Sequence, residues 1–142
     1  MNYILDTCVI SELIKPKADT RVCSWIEEQN DNHLYLSVIT LGEIQKGVAK
    51  LDEGVKKSTL QAWLDVDLVL RFEGRILPID EQTCKIWGKI LADSEQKGKS
   101  LPVIDAMIAA TALINHMAVV TRNIKDMMVP DLTIINPWDS FM

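Results

Sequence analysis

The sequence has little of what several common chemistries require. Its 142 residues include three cysteines and two histidines. Cys8, Cys23 and Cys84 are odd in number, widely spaced and without a C-x-x-C. Neither a disulfide framework nor a zinc ligand set is expected from them. They read as small core residues of a reduced, cytoplasmic protein. His33 and His116 stand apart and read as structural or surface residues. Positive charge is not in excess: 15 Lys and Arg face 20 Asp and Glu, for a net charge of −5. Attachment to nucleic acid by bulk basicity alone is disfavoured. No apolar run approaches membrane-spanning length, so no membrane partner is expected. The first residues, Met1 to Asp6, reach an acid at once and read as a strand rather than a signal peptide.

Familiar site motifs are missing too. There is no G-x-G-x-x-G after the first strand and no G-x-x-x-x-G-K-[ST], so dinucleotide and P-loop chemistry lack support. Without a G-x-S-x-G, a serine hydrolase is not expected. A phospho-acceptor receiver would carry an acidic pair after its first strand. Here Asp6 stands alone, and the third strand ends in a helix-capping Asp80.

What is present is an ordinary globular mixture, 48% apolar and 25% charged, read as one domain over residues 1–142. Strands are expected at 3–5, 33–39, 75–79, 117–120 and 132–135. A short helix is expected between the turn at Asp6 and Lys15, others at 21–28, 44–51, 55–72 and 81–96, and one around Asp105. Lys15-Pro-Lys17 stops the first helix, Asp19 or Thr20 caps the second, Asp80 caps the fifth, and Gly74 closes the fourth. The apolar side of the 55–72 helix is read as Leu60, Trp63, Leu64, Val66, Leu68 and Leu70. Short apolar strands alternating with helices imply an α/β fold with a parallel sheet covered on both faces.

Asp105 is the only charge between Leu101 and Ile114. Burying such a carboxylate is costly unless it has a partner. Asp6, Thr40 with Glu43, and Asn123 with Asp126 fall just past strand ends, where open α/β sheets build sites. A cluster of these acids cannot stay charged uncompensated. A hard divalent cation, Mg²⁺ or Mn²⁺, would compensate it and would suit hydrolysis of a phosphodiester. Each acid also has a purely structural reading. Thr40 with Glu43 matches a capping box, Asp6 a helix-capping turn, Asp105 a helix-dipole partner, and Asn123 and Asp126 ordinary turn residues. Trp25, Trp63, Trp87 and Trp138 read as core or interface rather than base-stacking platforms. Arg122 and Lys125 lie in the candidate site loop.

The segments Tyr3–Glu12, Leu36–Glu43 with Gly47-Val48, Gly74–Asp80, Ile104–Ala112, Val120–Asn123 and Asn136–Trp138, in this order and spacing, resemble PIN-domain ribonuclease toxins of the VapC family, in the FitB-like branch. The resemblance implies a three-layer α/β sandwich with a central parallel sheet of about four or five strands. It implies a Mg²⁺ or Mn²⁺ site in which Asp6 and Asp105 are direct ligands and Glu43 binds directly or through water. The family often has a fourth acid where this chain has Asn123, a departure that Asp126 is placed to offset. Thr7 and Ser11 become candidates for orienting a ligand water. The implied activity is a metal-dependent endoribonuclease, the toxin of a type II toxin–antitoxin pair. The implied partners are the RNA substrate, a second copy, and a small VapB-type antitoxin through which alone operator DNA is bound. The alternative is a catalytically weak PIN module acting with a DNA-binding antitoxin as a repressor. A structure-specific DNA nuclease is the third reading.

Overall fold

The computed structural model describes residues 1–139. Five short strands form one parallel sheet: β1 (Tyr3–Leu5), β2 (Leu34–Ser37), β3 (Ile76–Leu77), β4 (Ala118–Val120) and β5 (Ile134–Ile135). Their order is β3-β2-β1-β4-β5, so β1 is central. Tyr3 sits opposite Leu34 on one side and Ala118 on the other. The chain fills one half of the sheet through β3, then crosses back to lay β4 against the other side of β1. The point where the order reverses lies between β1 and β4, where open α/β sheets bind ligands.

The helices are α1 (Thr7–Leu13), α2 (Thr20–Glu28), α3 (Val38–Ala49), α4 (Val55–Ala62), α5 (Val69–Arg71), α6 (Glu81–Gln96) and α7 (Val103–Ile114). Strand alternation divides the core into two layers. Leu5, Leu34, Leu36 and Val120 face Val9, Ile10, Val22, Ile26, Ile44 and Leu68. Ile4 and Val119 face Ile108, Ala112 and Met127 on the opposite side. With helices on both faces, the three-layer α/β sandwich is as expected, with five strands.

Some boundaries differ from the sequence reading. Asp6 caps α1 directly, accepting from the Thr7 N–H at 2.8 Å, so this helix follows the turn at once and starts at Thr7. α3 begins at Val38, with the Ser37 hydroxyl accepting from the Ile39 N–H at 3.1 Å. Val38 and Ile39 are β-branched and read as strand, but the cap turns them into helix. Thr40 and Glu43 therefore lie inside α3, and the capping-box reading is replaced. The helix expected at 55–72 is broken by a π-helical segment, Trp63–Leu68, between α4 and α5. The wider turn changes the phase of the side chains. Leu64 and Leu68 are buried, whereas Val66 and Leu70 are 52% and 62% exposed and leave the apolar side. Gly74, at φ +77°, ends this stretch where an L side chain would be strained. Asp80 caps α6 as expected. Cys84 is exposed rather than in the core, and Cys8 and Cys23 are half-buried.

Candidate active site

Each site residue is delivered by a backbone junction. β1 ends at Leu5, and the Asp6 N–H still donates to the Val120 carbonyl of β4 at 2.9 Å. This ladder bond fixes Asp6 at the reversal point. Its carboxylate is 3% exposed. Burial is tolerated because the group is well supplied with donors. Oδ1 accepts from the Thr7 N–H, and Oδ2 accepts from the Thr121 hydroxyl at 2.7 Å and from the Cys8 thiol at 3.5 Å.

Thr121 is fully buried and also accepts the Asn123 N–H at 2.9 Å. One hydroxyl thus ties the first acid to the loop after β4. Thr7, at the start of α1, plays the matching part toward α3. Its hydroxyl lies 2.5 Å from Glu43 Oε1 and 3.1 Å from the Thr40 hydroxyl. Glu43 is half-buried on the second turn of α3 and reaches the centre from the β2 side.

Asp105 approaches from the other face, in the first turn of α7. Its carboxyl is pushed up to about 6, first by burial and then by the charges of Asp6, Asp126 and Glu43. Asp105 is thereby within electrostatic reach of the other three acids. None of the ion pairs among the described residues involves any of the four. Asp126, in the 3-10 turn Ile124–Met127, contributes to this field, whereas Asn123 is exposed and uncharged. Ser11 is exposed on α1. Neither histidine joins the cluster: His33 bonds Asn2 and His116 is exposed.

The donor set consists of carboxylates and hydroxyls. The Cys8 thiol is raised to about 11, by burial first and then by the Asp6 charge, so it stays protonated and donates. A hard, oxygen-seeking divalent cation fits such a set, and a thiolate-seeking one does not. Among the described residues, no three Asp, Glu, His or Cys side chains stand together at chelating distance. The threonine bonds turn Asp6 and Glu43 toward the Thr121 and Thr7 hydroxyls.

Two features were not legible as such in the sequence. Thr121 belongs to a Thr-Arg-Asn run, but its bond to a residue 115 positions away depends on β1 lying beside β4. Glu12 is a buried acid, 6% exposed, that accepts the Asp19 N–H and the Lys15 ammonium, both at 3.0 Å. It joins the end of α1 to the start of α2 and lies outside the cluster. Its carboxyl is held low, chiefly by the Asp19 backbone N–H. The Lys three residues on was its only sequence signal.

Comparison with known proteins places this geometry. Toxin FitB of Neisseria gonorrhoeae is 38% identical over 135 residues, covering 95% of this chain and 97% of that protein. VapC ribonuclease Y4jK of Sinorhizobium fredii is 36% identical over 136 residues, covering 96% and 97%. A solved structure described as FitAB bound to an IR36 DNA fragment superposes with a TM-score of 0.92 at 36% identity, covering 99% of this chain and 98% of that one. The family model described as PIN domain matches residues 3–125, a span holding Asp6, Glu43 and Asp105. With this match over most of its length and relatives of more than 30% identity along nearly the whole chain, the chain belongs to the PIN domain family.

Proposed function

We propose that this protein is a Mg²⁺- or Mn²⁺-dependent endoribonuclease, a hydrolase of RNA phosphodiester bonds and the toxin of a type II toxin–antitoxin pair. The observation that carries the reading is the uncompensated carboxylate cluster at the sheet's reversal point. Asp6 and Asp105 would hold the cation, with Glu43 joining directly or through a water. When bound, such a cation supplies Lewis-acid activation of water and of a phosphodiester oxygen. The protein's own groups do the rest. Thr121 and the Thr7 N–H hold Asp6 in place, and Thr7 orients Glu43. Asp126 supplies the negative charge that Asn123 lacks, while Asn123 offers an amide oxygen.

The reading extends to the assembly. The chain acts as a single domain in the cytoplasm, as a homodimer held inactive by a small VapB-type antitoxin. Operator DNA is reached only through that antitoxin. The relatives support this: one is called a toxin, another a ribonuclease, and one neighbouring structure is a FitAB complex on DNA.

The test is cleavage of total RNA by antitoxin-free protein in Mg²⁺ or Mn²⁺, abolished by EDTA and lost in Asp105→Asn. Equal cutting by wild type and Asp105→Asn would remove the site assignment. The uncharged Asn123 favours a second reading, a catalytically weak module that represses transcription with its partner. Expression of the chain alone separates the two. Growth arrest relieved by Asp6→Ala supports the enzyme; no arrest supports the module.

A further inference from the structure

The chain has four arginines, and three are already engaged. Arg21 pairs with Asp19 at 2.8 Å, and Arg71 faces Asp31 at 3.6 Å. Arg75 donates to the backbone carbonyls of Asp31, Leu34 and Arg71. Arg122 differs. Among the described residues its side chain has no ion-pair partner. Instead its guanidinium lies over the Trp138 ring, 5.3 Å from the centroid.

The support beneath it is rigid. Trp138 is 5% exposed, belongs to the larger core cluster and donates its backbone N–H to the Asn136 side-chain oxygen at 2.9 Å. Cation–π stacking on such a ring holds the guanidinium plane while its edge donors stay free. The backbone holds Arg122 equally firmly. It lies between Thr121, which bonds Asp6, and Asn123, whose N–H bonds Thr121. An exposed, pre-oriented fork therefore belongs to the residue next to Thr121, the hydroxyl partner of Asp6 in the acidic cluster. A polyanionic strand entering that cluster needs a compensating cation at the rim, and a planar fork matches phosphate oxygens two at a time.

We propose that Arg122 is a substrate-positioning residue that binds a backbone phosphate of the RNA strand lying in the acidic cleft, with Trp138 as its supporting platform. This rests on the ribonuclease reading. It adds how an acidic protein grips a polyanion: through one braced arginine.

The test uses the full-length protein and a fluorescein-labelled 20-nucleotide single-stranded RNA spanning a cut site mapped in total RNA. Binding is measured by anisotropy in EDTA, and cleavage in Mg²⁺. Arg122→Ala is expected to raise Kd about tenfold, as loss of a charge-assisted phosphate contact does. The slope of log Kd against log salt should fall by about 0.7, one phosphate contact on a single strand. KM should rise with kcat little changed. Arg122→Lys should recover only part of the loss, because the fork and the stack are gone. Trp138→Phe, which keeps a ring in the core, should raise Kd by about threefold through the weaker stack. Lys56→Ala removes an exposed charge elsewhere and should leave Kd within about twofold. The inference is overturned if wild type cuts RNA while Arg122→Ala matches it or Lys56→Ala, or if the loss lies wholly in kcat. Wild type that cuts no RNA overturns the ribonuclease reading itself.

Discussion

Asp105 carries an energetic conflict that the rest of the site does not share. Asp6 is buried but has three donors. Asp105 is half-buried, and the charges acting on it are other carboxylates. An acid raised from 3.8 to about 6 binds its proton more tightly in the folded than in the unfolded chain. Its contribution is then present below about pH 3.8 and lost as pH rises through about 6. Without metal, Asp105→Asn should therefore stabilise the protein at pH 7.5, by about 1 kcal/mol once solvent screening is discounted. The gain should vanish near pH 3.5. Thermal melts in EDTA at the two pH values measure it, and a variant less stable than wild type at pH 7.5 would remove the argument. Thr121 gives the opposite case. Thr121→Val takes one donor from buried Asp6 and the acceptor from the Asn123 N–H, and should cost about 1–3 kcal/mol in a urea titration. The acids themselves were legible in the sequence, because a lone Asp on an apolar helix asks for an explanation. The hydroxyls that orient them were not, since Thr7, Thr40 and Thr121 gain meaning only from partners far along the chain.

Elements were legible where local chemistry and tertiary packing agree. Asp80 before α6, Asp19 before α2 and the Lys15-Pro-Lys17 stop all act locally. The reading failed where two local signals compete. Val38-Ile39 continues the β pattern of Leu34–Ser37, while Ser37 offers a cap, and packing of Ile44 and Val48 into the core decides for helix. The outcome has a mutational signature. Ser37 is fully buried and caps α3, so Ser37→Ala should lower stability by about 1 kcal/mol. Glu43→Gln should cost less, because Glu43 bonds a threonine side chain rather than a helix-end N–H. Equal or reversed effects in denaturant titrations would reinstate Thr40 as the cap. The π segment Trp63–Leu68 failed for another reason. A helix period cannot announce the inserted residue that rotates Val66 and Leu70 outward.

At the scale of the whole molecule, the site is a property of strand order. Asp6, Glu43, Asp105 and Asp126 are far apart in sequence, and the charges of the other three reach Asp105 in a fold where β1 lies between β2 and β4. Strand ends told which residues were eligible; only the order told which are neighbours. Charge at this scale has a further consequence. The net charge is −5, and Lys15, Arg21, Lys57, Arg71, Lys85 and Lys97 are spent on ion pairs. Duplex DNA is bound largely through neutralised phosphates, and each contact must outlast competition from salt. A protein with an excess of acids repels a polyanionic duplex on balance, which disfavours holding one near 0.15 M salt. The isolated protein should therefore leave its own promoter DNA unshifted in an electrophoretic assay at that salt. The complex co-purified with its antitoxin should shift the same fragment, and the salt slope should be set by the antitoxin's basic residues. Tight, sequence-specific retention of promoter DNA by the isolated chain would show that the surface carries a cationic path this charge balance does not provide.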